Sequence, residues 1–157
     1  MKTASIAPLV LLAALCASGS ALAAGSAGAA DASADPAIEA AQAAIARKDW
    51  RAAQATLHKA LATNAQNPDY HNLYAYALRK GPSPNMDQVF SHYSEALRID
   101  PRHRGAHEYI GEAYLMVDNP AKAREHLAAL DKLCRLPCEE YTDLKKSVAA
   151  YEASHKP

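Results

Sequence analysis

A chain of 157 residues is long enough for one domain with a modest core. Lysine plus arginine and aspartate plus glutamate balance at 17 each, which argues against a nucleic-acid binder, since those carry a basic excess. Alanine supplies much of the apolar content and the aromatics are eight tyrosines with Trp50 and Phe90, a composition that favours helix.

Lys2 followed by the apolar run Ile6 to Ala17 has the form of a signal peptide, and Ala21-Leu22-Ala23 supplies a small-residue cleavage site. Residues 1–23 are therefore expected to be removed after Ala23, which places the mature chain in the periplasm or outside the cell. The run is shorter than the roughly 20 apolar residues of a membrane span, so no stable span is expected after cleavage. Leu15 stands where a lipoprotein signal wants a small residue, which disfavours lipid attachment at Cys16. Cleavage removes Cys16 and leaves Cys134 and Cys138. Residues 24–35 are alanine, glycine, serine and aspartate without apolar period, and read as a flexible leader.

Asp35-Pro36 is an N-cap followed by proline at the first helical position, so structure is expected to begin there. Asn67-Pro68, the Gly81-Pro82-Ser83-Pro84-Asn85 stretch, Asp100-Pro101, Asp118-Asn119-Pro120 and Leu136-Pro137 divide the remainder of the chain. The segments between them run about 11 to 17 residues with helical apolar spacing, and none alternates with period two. The prediction is an all-α domain over residues 36–153. Its last helix, about Glu139 to Ala153, carries Tyr141, Leu144, Val148 and Tyr151 on one stripe.

The segments repeat. Val89 and Tyr93, shifted by 34 positions, become Ala123 and Leu127; Ile110 and Tyr114 become Leu144 and Val148. Ala53, Leu57 and Ala60 stand 36 before Val89, Tyr93 and Ala96. The unit from Arg104 to Arg135 supplies His107, Ile110, Gly111, Tyr114, Ala123 and Leu127. The preceding one supplies Tyr70, Leu73, Tyr74, Ala77, Val89, Tyr93, Ala96 and Pro101, and the first supplies Trp50, Ala53, Leu57 and Ala60. These positions resemble the tetratricopeptide repeat family, departing from it at Leu130 and Arg135. The tail is similar to that of small exported bacterial repeat proteins ending in Cys-x-x-x-Cys-Glu-Glu-Tyr. The resemblance implies a right-handed superhelical stack of three helix hairpins, about 36–67, 68–101 and 102–135, closed by a capping helix at 138–153. Gly111 and Ala123 are expected where the helices of one hairpin come closest.

The resemblance also implies a function: a protein-protein interaction scaffold, not an enzyme, that binds a partner polypeptide in a concave groove lined by the first helix of each hairpin. Carried over position by position, the lining is Ile38, Glu39 and Gln42 in the first unit and His71, Asn72, Ala75, Leu78 and Arg79 in the second. The third unit gives Glu108, Tyr109, Glu112, Leu115 and Met116, and the cap gives Thr142, Asp143 and Lys146. Glu108 and Tyr109 stand where a carboxylate clamp needs cations, so a peptide with basic and apolar groups is the expected partner.

Two further sets of residues carry chemistry. Cys134 and Cys138 flank Pro137, which interrupts the helix and lets the side chains turn toward each other; in an oxidising compartment a disulfide is expected. The alternative function is a small redox- or metal-handling protein using this pair, although the spacing is not that of the thioredoxin motif. His103 and His107 are four apart, a spacing that can bind metal, but His107 occupies a packing position of the repeat. His58, His92 and His126 read as outer-face residues. No metal site and no cofactor are expected.

Overall fold

The computed structural model describes residues 35–156. The expected signal peptide and all of the expected leader but Asp35 lie outside the described residues. Among those described there are seven helices and no strand: α1 (Pro36–Ala46), α2 (Trp50–Thr63), α3 (Pro68–Lys80), α4 (Met86–Ile99), α5 (Arg104–Met116), α6 (Pro120–Leu133) and α7 (Glu139–Ser154). None is long and apolar enough to cross a membrane.

Short polar side chains start six of the seven. Asp35 accepts from the amides of Ala37 and Ile38, Asn67 from Asp69 and Tyr70, and Asp49, Asn85 and Asn119 cap α2, α4 and α6. His103 does the same for α5 through Nδ1, accepting from the Ala106 amide at 3.1 Å. Proline at the first position of α1, α3 and α6 removes an amide that would have no helical partner. Each such cap contributes about 1 kcal/mol.

The turns leading into α2 and α6 share one geometry. Lys48 and Asp118 both sit in the left-handed region, at φ 58° and 59°. In each turn the next residue's amide reaches back to the preceding helix, Asp49 to the Ala44 carbonyl and Asn119 to the Tyr114 carbonyl, both at 2.9 Å. That pattern closes a helix C-terminus tightly. The α3–α4 turn instead uses the longer Gly81–Asn85 loop.

Each helix packs on the next, and α1, α3, α5 and α7 also pack on one another in series. The core is a chain of small clusters. Ala41, Leu57, Ala60 and Tyr70 join α1, α2 and α3; Ala75, Val89, Tyr93, Ile110 and Ala113 join α3, α4 and α5; Ala123, Leu130, Leu144 and Val148 join α6 and α7 beside α5. The repeat register is visible in this burial, with Ala53, Val89 and Ala123 each fully enclosed. An apolar stripe that buries only against its neighbours makes stability depend on adjacent units.

Gly111 sits at the tightest approach, and its neighbour differs from the expected one. The three atoms nearest to a Cβ built there all belong to Leu144 of α7, at 2.6, 2.8 and 3.3 Å. The glycine therefore lets the last helix close on α5. Leu144 is itself fully buried and has no room to retreat. Gly111→Ala is expected to destabilise by about 1–2 kcal/mol through overpacking, although alanine favours helix by about 1 kcal/mol. Denaturant unfolding checks this; in a Leu144→Ala background the same change is expected to cost nothing.

Candidate functional site

The face built by α1, α3, α5 and α7 encloses a cavity of about 300 Å³ to which all four helices contribute. Ile38 and Gln42 come from α1, Asp69, Asn72 and Leu73 from α3, Gly105, Glu108 and Tyr109 from α5, and Glu139, Glu140 and Asp143 from α7. Five of these residues are carboxylates and none is lysine or arginine. Two carboxylates have partners nearby: Asp69 accepts from His103 Nε2 at 3.1 Å, and Glu140 faces Arg104 at 3.4 Å. Glu108 has no hydrogen bond and no ion pair among the described residues, although it is 8% exposed. Burial, then the carboxylates of Glu112, Asp143 and Glu140, push its pKa up to about 8 against the pull of Arg79. The phenol of Tyr109 is also driven well above its ordinary range, by burial and by Glu108.

Beside this cavity lies a buried ion pair. Arg79 of α3 is 5% exposed and its Nη2 donates to Glu112 Oε2 at 2.7 Å. Its Nε donates to the Tyr93 hydroxyl at 3.4 Å, and the guanidinium lies over the rings of Tyr76 and Tyr109, 5.5 and 5.8 Å from their centres. The other Glu112 oxygen accepts from Ser147 of α7 at 3.2 Å. Burial works against the Arg79 charge, but Tyr93 and Glu112 outweigh it and hold the guanidinium protonated.

Of the groove residues read from the sequence, Ile38, Gln42, Asn72, Glu108, Tyr109 and Asp143 do converge on the cavity. Glu39, Met116 and Lys146 are exposed and lie outside its lining. Arg79 and Glu112 are consumed by their own pair. His71, also buried, turns away: its Nε2 donates to the Ala65 carbonyl at 3.0 Å, so its Nδ1 accepts from His92 Nδ1 at 2.9 Å. The repeat pattern misses Asp69, Leu73, Gly105, Glu139 and Glu140, the last two because it takes the cap's lining from one turn further along α7.

A second His pair repeats the first one unit later. His107 Nε2 donates to the Pro101 carbonyl at 3.1 Å and its Nδ1 accepts from His126 Nδ1 at 3.0 Å. His92 and His126 are thus half-buried partners, in place of the outer-face residues expected. His103 is a helix cap, so it does not join His107 in a metal site. Recurrence of both histidines at 36 and 34 residues was the signal available in the sequence.

Neither a protein-family model nor a curated protein matches the chain. Its chemistry therefore rests on the arrangement of its own side chains. Cys134 and Cys138 are disulfide-bonded, with Cα atoms 5.9 Å apart, at the junction of α6 and α7. The bond leaves neither sulfur as a thiolate ligand for a metal. Among the described residues no group of three or more His, Cys, Asp and Glu side chains is placed to hold a metal ion.

Removing the Arg79 charge strands Glu112, which is a quarter exposed on its side chain. Arg79→Met is expected to cost about 2–3 kcal/mol by urea unfolding, and Arg79→Met with Glu112→Leu is expected to recover most of that loss.

The His126 imidazole is pushed down to about 4, by burial first and then by His107, with Lys122 adding to the effect and Glu125 opposing it. The unfolded ring takes its proton near 6.5, so the unfolded chain binds more protons between those values. Stability from this pair is therefore full above about pH 6.5 and is lost as pH falls toward 4. His126→Gln is expected to shrink the loss between pH 7 and pH 5 by about 1 kcal/mol, measured by denaturant unfolding at each pH.

Proposed function

We infer that the chain is an exported scaffold of the tetratricopeptide type, a right-handed superhelical stack of three helix hairpins with a capping helix, that holds a partner polypeptide. The seven helices, the enclosed Ala53, Val89 and Ala123, and the serial packing of α1, α3, α5 and α7 support that architecture. The bond between Cys134 and Cys138 accords with an oxidising compartment.

The observation that carries the function is the cavity shared by α1, α3, α5 and α7, lined by five carboxylates and no lysine or arginine, with Glu108 unpaired among the described residues. A surface of one charge sign focuses its field on ligands of the other sign. The partner is therefore a segment with basic groups, and Ile38, Leu73 and Tyr109 give its apolar parts a place to lie. The role we infer is binding, since the lining offers acceptors for a cation's N–H groups.

The test uses site-specific crosslinking in the native compartment. Glu112 is unsuitable for charge reversal because it holds Arg79, so Glu108→Lys with Asp143→Lys is the informative variant. A photocrosslinker at Glu139 is expected to capture a polypeptide through a segment rich in lysine or arginine, and capture is expected to fall at least about fivefold in the double variant. A crosslinker at the exposed Ala55 on α2 serves as control. Equal capture by the folded double variant, or equal adducts from the control position, removes the reading.

A further inference from the structure

The cavity between α1, α3, α5 and α7 contains two enclosed polar side chains that the protein itself leaves without partners. Glu108, 8% exposed, has neither a hydrogen bond nor an ion pair among the described residues. Asn72, 5% exposed, lines the same cavity, and its Oδ1 is the buried side-chain atom left without a partner among them. Buried polar groups are satisfied as a rule, because leaving one unpaired costs free energy. Elsewhere this fold keeps the rule: Arg79 has Glu112 and Tyr93, and His71 has Ala65 and His92. Hollows of about 430 Å³ around Trp50 and about 440 Å³ around His58 and His92 are larger, but neither contains such an atom.

Asn72 Oδ1 and the ionised form of Glu108 both want a donor, and their surroundings specify its kind. Asp143 and Glu139 add negative charge from α7, and no lysine or arginine lines the walls. Ile38 and Leu73 give the opposite wall an apolar character. The volume of about 300 Å³ suits one long side chain and excludes a folded element. Gly105 contributes no side chain beside Asn72; a Cβ there would stand 3.3 Å from the Asn72 amide nitrogen.

We propose that this cavity is a subsite for a lysine side chain of the partner polypeptide, its ammonium held by Glu108, Asn72 and Asp143 and its methylene stem lying along Ile38 and Leu73. The proposal rests on the scaffold reading in one respect: the lysine is carried by a polypeptide. The acceptors come from α5, α3 and α7, so three separate groups meet the three donors of an ammonium. Arginine presents a flat, fixed fork instead, which suits paired acceptors on one carboxylate.

Binding at this subsite has a proton signature. In the empty cavity Glu108 is held largely protonated at neutral pH by its burial and by Glu112, Asp143 and Glu140, with Arg79 opposing. Asp69 and Glu139 add to the negative surroundings from α3 and α7, while α1 contributes only Ile38 and Gln42. An arriving ammonium favours the ionised carboxylate, so a proton leaves as the lysine enters. Affinity therefore rises with pH up to about 8 and levels off above it. Attraction to an ordinary exposed carboxylate would be flat over that range.

The test is a titration of the purified protein, followed by amide NMR shifts and calorimetry. The probe is an end-blocked Gly-Ala-Lys-Ala-Gly peptide, with norleucine, Nε-acetyllysine and arginine in place of lysine as comparisons, and pentylamine as the free amine. The lysine peptide is expected to saturate, to shift the Gly105 and Tyr109 amides, and to bind at least about tenfold tighter than the norleucine and acetyllysine peptides. Glu108→Gln is expected to keep the melting temperature, weaken the lysine peptide about tenfold and abolish the rise in affinity from pH 6 to 8. Asn72→Ala provides the same loss of affinity by a second route should the glutamine variant fold poorly. No saturation, or equal binding of lysine and norleucine peptides, overturns the subsite. Arginine binding as tightly as lysine overturns the ammonium assignment, and pentylamine binding as tightly as the peptide overturns the polypeptide source. Capture of a native polypeptide by the Glu139 crosslinker without lysine preference would leave the scaffold standing and remove the subsite. Lysine preference without native capture would do the reverse.

Discussion

A guanidinium cannot shed its charge at any physiological pH, so enclosing Arg79 obliges the fold to bring a carboxylate with it. Glu112 is that carboxylate, and its second oxygen is bonded to Ser147, so one charge pair ties α3, α5 and α7 together. The rings of Tyr76 and Tyr109 cover the guanidinium and the Tyr93 hydroxyl accepts from it. The same pair explains the acid beside it. Glu108 lies one helical turn before Glu112 on α5, and the enclosed cation beside them is already committed to Glu112. With that guanidinium bound to Glu112, Glu108 has no ion-pair partner among the described residues.

Apolar packing is organised differently from this polar spine. No cluster reaches from one end of the helices to the other; each draws on adjacent helices and stops. Closure at α7 depends on the missing side chain at Gly111, which lets Leu144 come within contact of the α5 backbone. The Cys134–Cys138 bond lies at the entrance to that helix. Because its loop is only a few residues long, it restricts the unfolded chain little, and its main effect is to fix how α7 leaves α6. Leu144 and Val148 then supply the apolar contact that keeps α7 in place.

Much of this was legible in the sequence, and for a definite reason. Asp35-Pro36, Asn67-Pro68 and Asn119-Pro120 act locally, so helix starts could be read without knowing what packs where. The recurrence of small and large residues on α2, α4 and α6 likewise reports a face that every unit buries in the same way. The partners of Arg79 and Gly111 could not be read so, because each is decided by a residue on another helix. A position facing outward in an isolated hairpin becomes interior once a neighbouring aromatic covers it, as Tyr109 and Tyr76 cover Arg79. Glu139 and Glu140 were overlooked because they open α7, where the register of the preceding units has no counterpart.

The cavity is bounded by both α1 and α7, which are not neighbours among the described helices. Ile38 and Gln42 stand on one side of it, and Glu139, Glu140 and Asp143 on the other. Because four helices bound the hollow, whatever fills it touches elements from both ends of the helix series at once.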